Sequence, residues 1–271
     1  MPLPSLDLVA ELIALGSVAG FLAGLLGVGG GMLMVPFITW MLSERGVAPG
    51  MAVKMAIATS MSTIVFTSLS SLRAHHRRGA VRWDVVRGLA PGIVGGALLA
   101  GAGAFALLKG ALLATGFALF VGFSATQMLL DRRPAPSRTL PGPLGLGGAG
   151  AGIGFLSGLV GAGGAFVSVP FMTWCNLPIH QAVASSAALG FPIALASTIG
   201  YVAGGWSVPA ALPGAFGYLY LPALACIASA SVLTAPLGAR SAHRMDVRRL
   251  KRVFAALLYA LAAYMLYKGL A

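Results

Sequence analysis

Charge is what this chain has least of. Lys, Arg, Asp and Glu make up 9% of its 271 residues, against about 25% in a soluble domain. From Thr139 to Ala239 there is no Lys, Arg, Asp or Glu at all. Such a chain cannot cover a water-facing surface, and the uncharged stretch is too long for one buried helix. It reads as several membrane segments joined by short turns. Acids are the scarcer sign, with six Asp and Glu in total and none in the membrane segments of the second half. A carboxylate proton relay crossing both halves is therefore excluded. Only two cysteines occur, Cys175 and Cys226, both inside apolar runs. They have no partner spacing and read as small buried hydrophobes, not as a disulfide or metal pair. His75 and His76 sit in a basic loop without a supporting carboxylate or thiol, so no metal and no cofactor is expected. The opening Met1-Pro-Leu-Pro-Ser-Leu-Asp7 lacks a basic n-region, so no cleavable signal peptide is expected and the first helix directs insertion.

The cations that do occur are clustered. Fourteen of the 18 Lys and Arg lie in three groups, Arg73 to Arg87, Arg132 to Arg138 and Arg240 to Arg252. These groups separate apolar segments, as cytoplasmic loops do under the positive-inside rule. The net charge of +12 is thus no sign of nucleic-acid binding, since the clusters are short and lack aromatic partners to stack bases.

What the chain has in quantity is glycine in a repeated setting. Gly20-Phe-Leu-Ala-Gly-Leu-Leu-Gly-Val-Gly-Gly-Gly-Met-Leu-Met-Val-Pro-Phe-Ile-Thr-Trp40 returns as Gly154-Phe-Leu-Ser-Gly-Leu-Val-Gly-Ala-Gly-Gly-Ala-Phe-Val-Ser-Val-Pro-Phe-Met-Thr-Trp174. Thirteen of the 21 paired positions are identical. Two related halves, each with an interrupted apolar segment, point to a transporter whose site lies at the repeat interface.

Apolar runs between Gly, Pro and charge punctuation predict an all-α polytopic membrane protein of ten segments. They are 6–26, 31–43, 51–72, 85–107, 110–130, 144–161, 165–176, 180–203, 216–238 and 249–270. The second and seventh are too short to cross a hydrocarbon core of about 30 Å. Segments one and two thus form a hairpin broken at Gly27 to Gly31, and six and seven one broken at Gly161 to Gly164. Counted so, the basic loops follow segments three, five and nine and share one side, with both termini outside the cytoplasm. Each half then holds five segments, an odd number that inverts the second half relative to the first. The expected organisation is repeat 1 over 1–131, a cytoplasmic linker over 132–143 and repeat 2 over 144–271.

The paired glycine motifs with their Val-Pro-Phe sequels closely resemble the sulfite exporter TauE/SafE family of membrane permeases. Ala56-Ile-Ala-Thr-Ser60 resembles the family's small-residue segment after the first hairpin. Pro236-Leu-Gly-Ala-Arg240, with Lys251-Arg-Val-Phe254 and the last apolar helix, resembles its C-terminal signature. The resemblance spans essentially the whole chain. It implies movement of sulfur-containing anions or small organic acids across the inner membrane. The second copy departs from the pattern, with one glycine fewer in Gly161-Ala-Gly-Gly-Ala165 and no threonine in Ala184-Ser-Ser-Ala-Ala188.

Glycine clusters break helices because glycine takes positive φ readily and loses the most backbone entropy in a helix. In a membrane, broken backbone is tolerated only inside protein or along a watery cavity. The half-helix that follows presents free N–H groups and a positive dipole end, which suits an anion. Gly29, Gly30, Gly31, Gly163 and Gly164 are the candidate substrate-binding positions; the competing reading is close helix packing through small residues. Gly20-x-x-x-Gly24 and Gly154-x-x-x-Gly158 read as packing only. Thr59, Ser60, Ser185 and Ser186 are candidate hydroxyl donors at corresponding places in the halves, with back-bonding to their own helices as the alternative. Lys54 either snorkels to the outer interface or gives a fixed positive charge near the site. Glu11 and His180 are the candidates for coupling, against headgroup contact for Glu11 and loop capping for His180. Trp40 and Trp174 read as interfacial anchors.

The expected ligand is a small anion, sulfite, a sulfonate or a related organic anion, moved by alternating access around the two breaks. A passive anion channel would use the same residues. An intramembrane enzyme lacks a Ser/His/Asp set or a carboxylate pair, and a scaffold would have no use for duplicated broken helices. The partners expected are the anion and the lipid bilayer, without nucleic acid. Abundant small residues on the helices permit a homodimer.

Overall fold

The described residues of the computed structural model are 6–26, 30–77, 79–130, 138–241 and 247–270. Helix α1 (Leu6–Leu26) is followed by the short α2 (Gly31–Glu44) and the long α3 (Pro49–Arg77). Helix α4 (Trp83–Leu98) runs through a π-helical turn (Leu99–Ala104) into α5 (Phe105–Leu107), one continuous span, and α6 (Gly110–Leu130) ends the first half. The order returns as α7 (Pro143–Val160), the short α8 (Ala165–Trp174), α9 (Ile179–Gly205), α10 (Leu221–Ser241) and α11 (Val247–Leu270). Among the described residues eight helices are long and apolar enough to cross a membrane. Helices α2 and α8, of 14 and 10 residues, are not. The all-α polytopic membrane class expected from composition is therefore what the chain adopts, and the ten segments fall close to their expected bounds.

One bound is corrected. The ninth segment was expected from 216, but α10 starts at Leu221, and a two-residue antiparallel pair precedes it: β1 (Ala215–Phe216) with β2 (Leu219–Tyr220). Gly214 and Gly217, at φ 84° and 54°, turn the chain there. Pro222, in the first turn of α10, lacks only a donor that the turn would leave unpaired anyway. Apolar composition alone does not separate such a hairpin from the helix that follows it.

Both short helices end in the same way. Gly46 and Asn176 have φ of 79° and 64°. Val47 N–H donates to Leu42 C=O at 3.1 Å and Leu177 N–H to Met172 C=O at 3.0 Å. These are matched left-handed caps that satisfy the last carbonyls and stop each helix.

Each first helix packs not on its own short partner but on the other half. Helix α1 lies along α10, with Gly16 on Ile227, Gly20 on Ser231 and Gly24 on Ala235; the rising numbers show that the two run in the same direction. Helix α7 lies along α4 likewise, with Gly92 on Gly147, Gly96 on Ala151 and Gly158 against Ala100. Backbones meet so closely that a Cβ at Gly24, Gly92 or Gly96 would enter a facing carbonyl. In lipid, where apolar surface gives no net attraction between helices, such close approach is the main source of packing energy. The packing reading of Gly20, Gly24, Gly154 and Gly158 matches these contacts.

Helices α3 and α9 are the most buried spans. They cross antiparallel, joined by Ser62 Oγ and Thr198 Oγ1 at 3.1 Å. Helices α6 and α11 pair antiparallel at the side, with Thr126 Oγ1 and Tyr259 OH 2.6 Å apart.

Candidate functional site

The two breaks meet. Gly30 is the N-cap of α2 and Gly31 its first residue, both buried. A Cβ added at Gly31 would run into the carbonyl oxygen of Gly161, and would stand 3.0 Å from Ile64 Cδ1 and 3.5 Å from Ala162 Cα. The break before α8 is built from Gly161, Gly163 and Gly164, with φ of 74°, 70° and 78°. These are left-handed conformations that other residues adopt only at a cost. Gly161 closes α7, its N–H bonding Ser157 C=O at 2.8 Å, and Gly164 opens α8. Gly29 and the rest of the first cluster, Gly27 and Val28, lie outside the described residues.

At each break one carbonyl takes two helical N–H groups. Gly30 C=O accepts from Leu33 and Met34 at 3.1 and 3.2 Å, and Gly164 C=O from Val167 and Ser168 at 3.1 and 2.9 Å. The N–H groups of the first two residues of each half-helix are the ones left without an intrahelical acceptor, as at any helix start. The start of α2 thus lies against Gly161 and Ala162 of the break before α8, and Ile64 Cδ1 stands within 3.3 Å of where a Cβ on either Gly31 or Gly163 would be. Ile57, Ile64 and Ile193 wall that break.

The four hydroxyls named from sequence are all buried, and each has a partner within the protein. Thr59 Oγ1 accepts the backbone N–H of Tyr220 at 3.0 Å. Ser185 Oγ accepts the backbone N–H of Arg82, also at 3.0 Å. Ser60 Oγ donates to Gly31 C=O at 3.4 Å, and Ser186 Oγ meets Ser168 Oγ at 2.7 Å. Ser60 therefore ties α3 to the first turn of α2, and Ser186 ties α9 to the first turn of α8. Thr59 and Ser185 hold the residues that lead into α10 and α4, each belonging to the opposite half. The correspondence expected between the two pairs is also out of register. Helices α3 and α9 start alike, with Ala52 N–H on Ala48 C=O and Ala182 N–H on Pro178 C=O. Counted from those starts, Ser185 lies about one helical turn nearer the start of its helix than Thr59 does.

The charged candidates stand at helix ends. Lys54 Nζ donates to Ala106 C=O at 2.9 Å and lies 5.3 Å from the Tyr218 ring centre. It is a cap on the last turn of the α4–α5 span, with its charge over an aromatic face. Glu11, half exposed, pairs with Arg45 at 3.0 Å and ties the start of α1 to the end of α2. His180 is exposed in the first turn of α9. Trp40 and Trp174 are exposed at the ends of α2 and α8, with Arg138 4.6 Å over the Trp174 ring.

One hydroxyl at the second break was passed over in the sequence reading. Ser157 is 2% exposed, and its Oγ has no hydrogen-bond partner among the described residues. It lies 3.2 Å from where a Cβ on Gly164 would stand. The signal available was the repeat itself, in which Ala23 occupies the place of Ser157. Among the described residues no group of His, Cys, Asp and Glu is arranged to hold a metal.

Comparison with known sequences bears on what this arrangement does. The sequence model of the family described as "Sulfite exporter TauE/SafE" matches residues 12–265. A probable membrane transporter protein of Haemophilus influenzae is 34% identical over 258 residues, covering 94% of this chain and 97% of that protein. A probable membrane transporter protein of Methanocaldococcus jannaschii is 26% identical, covering 96% of each. One from Bacillus subtilis is 29% identical, covering 96% of this chain and 97% of its own. No solved structure matches significantly.

Proposed function

The chain belongs to the sulfite exporter TauE/SafE family and is a multi-pass membrane transporter, and we propose that it carries a small anion, sulfite, a sulfonate or a related organic anion, outward across the inner membrane. The observation that carries this reading is the contact of Gly31 with Gly161 and Ala162. It brings the N-terminal turn of α2 against the break that leads into α8, so that half-helix starts from the two halves stand near one another, an arrangement that suits an anion. With the basic loops inside and both termini outside, a membrane potential negative inside favours anion exit by about 2.3 kcal/mol per charge per 100 mV.

The halves act as an inverted repeat that rocks around the breaks. Several contacts support this. The Glu11–Arg45 pair makes α2 return toward the start of α1, and Lys54 on Ala106 makes the α4–α5 span return toward the start of α3. Helix α7 runs along α4 in the same direction, and so opposite to α1, its counterpart in the repeat. The two backbone-to-hydroxyl bonds then become gates at opposite ends: Tyr220 N–H on Thr59 toward the outside, Arg82 N–H on Ser185 toward the inside. A carrier needs two such gates that open in turn, whereas a passive channel has no use for a matched pair. Uptake of radiolabelled sulfite into proteoliposomes, with sulfonates and carboxylates as competitors, tests the reading. Saturable uptake that is accelerated by sulfite on the far side marks a carrier. Uptake that rises linearly with concentration marks a channel.

A further inference from the structure

We propose that Ser157 is the hydroxyl that binds an oxygen of the anion, so that the ligand is held chiefly by the second break. This rests on the transport reading above and makes it more specific. Ser157 stands in the last turn of α7, buried, with its Oγ unpartnered among the described residues and directed at Gly164. Several serines in these helices bond the carbonyl four residues back, as Ser62 does to Ala58, Ser124 to Phe120 and Ser229 to Ala225, each at 2.8 Å. Ser157 departs from that habit. Ser43 and Ser197 share with it a buried Oγ without a partner among the described residues, but do not stand at Gly164. A buried hydroxyl left without a partner destabilises a fold unless something else supplies one.

What stands beside it is suited to an oxyanion. Gly164 is left-handed, at φ 78° and ψ −16°, and the next residue begins a right-handed helix. A left-then-right pair turns successive N–H groups to one side, a concavity that binds anions. Gly164 C=O takes the N–H groups of Val167 and Ser168, and those of Ala165 and Phe166 have no backbone acceptor among the described residues. Two N–H donors beside a hydroxyl that is able to donate suit a ligand with two or more acceptor oxygens. At the first break Ala23 replaces the serine, and Gly30, the described residue before α2, is right-handed at φ −68°.

The test uses the full-length protein with Ser157→Ala and with Ser157→Cys, which keeps the shape and supplies only a weak donor. Sulfite KM is measured in proteoliposomes and the thermal midpoint in detergent. Loss of a hydrogen bond to a charged ligand raises KM by roughly ten- to a hundred-fold in both variants. The midpoint without sulfite stays unchanged or rises, because an unpartnered buried hydroxyl has been removed. A wild-type KM in Ser157→Cys overturns the proposal, as does a raised KM that is accompanied by a lowered midpoint in both variants. If Gly164→Leu abolishes uptake while Ser157→Ala keeps the wild-type KM, the break remains the site and only the serine's role falls. If the wild-type protein takes up neither sulfite nor a sulfonate, the transport reading falls and this inference with it.

Discussion

Adjacent glycines at the first break face different walls, and the difference sets what substitution does. A Cβ at Gly31 meets the backbone oxygen of Gly161, which cannot move without shifting the second break. A Cβ at Gly30 meets the end of the Met34 side chain at 2.9 Å, which can turn aside, and Ala19 C=O at 3.2 Å. Gly31→Ala is therefore expected to cut sulfite uptake at least ten-fold, while Gly30→Ala keeps most of it. Equal loss in both would show that the contact between the breaks does not matter. Gly164→Leu combines a left-handed backbone with a collision against Ile193 and is expected to abolish uptake. The glycine positions themselves were legible, because few other residues are used in runs like these. The roles of Thr59, Ser60, Ser185 and Ser186 were not, since their partners lie on elements far away in sequence, up to 161 residues for Thr59 and Tyr220. A hydroxyl in an apolar helix declares a need for a partner without saying which one.

At the level of elements, the proposed gates and the packing stripes make separate predictions. Thr59→Val leaves the Tyr220 N–H without its acceptor and loosens the outer gate; Ser185→Ala does the same to Arg82 and the inner gate. Losing one buried acceptor is worth about 1–3 kcal/mol, enough to shift a two-state equilibrium well to one side. Each single variant is expected to lower Vmax, and the double variant to recover toward wild type because the two biases oppose. Additive losses in the double variant would show that both bonds serve stability alone. Gly154→Leu, on the face of α7 that meets Ile93, is expected to lower the thermal midpoint sharply and to reduce membrane insertion, unlike a variant of the breaks. The segments were legible because a membrane span needs about 20 apolar residues and because Gly, Pro and charge end each run. Which helix each span would pack against was not legible. A Gly-x-x-x-Gly stripe shows that some partner comes close, and nothing in the stripe says that α1 takes α10 or that α7 takes α4.

For the whole molecule, scarcity of charge decided the class, and the duplicated motif is what the proposed mechanism rests on. The charged side chains within or beside the spans stand at helix ends, as in the Glu11–Arg45 pair and Lys54 on Ala106. On the proposed reading, backbone dipoles and a neutral hydroxyl at the paired breaks are then what the protein offers an anion. Binding by neutral donors leaves the ligand's charge uncompensated, so its movement carries current. An inside-negative potential of about 100 mV imposed on vesicles loaded with sulfite is expected to speed efflux several-fold, and indifference to potential would point to compensating ion movement. The central claim, a carrier built on two glycine breaks that meet, is tested most directly by sulfite counterflow in proteoliposomes of the wild-type protein beside Gly164→Leu. The account predicts saturable, trans-accelerated uptake in the first and none in the second, with both proteins inserted to the same extent. Equal counterflow in the two would contradict it.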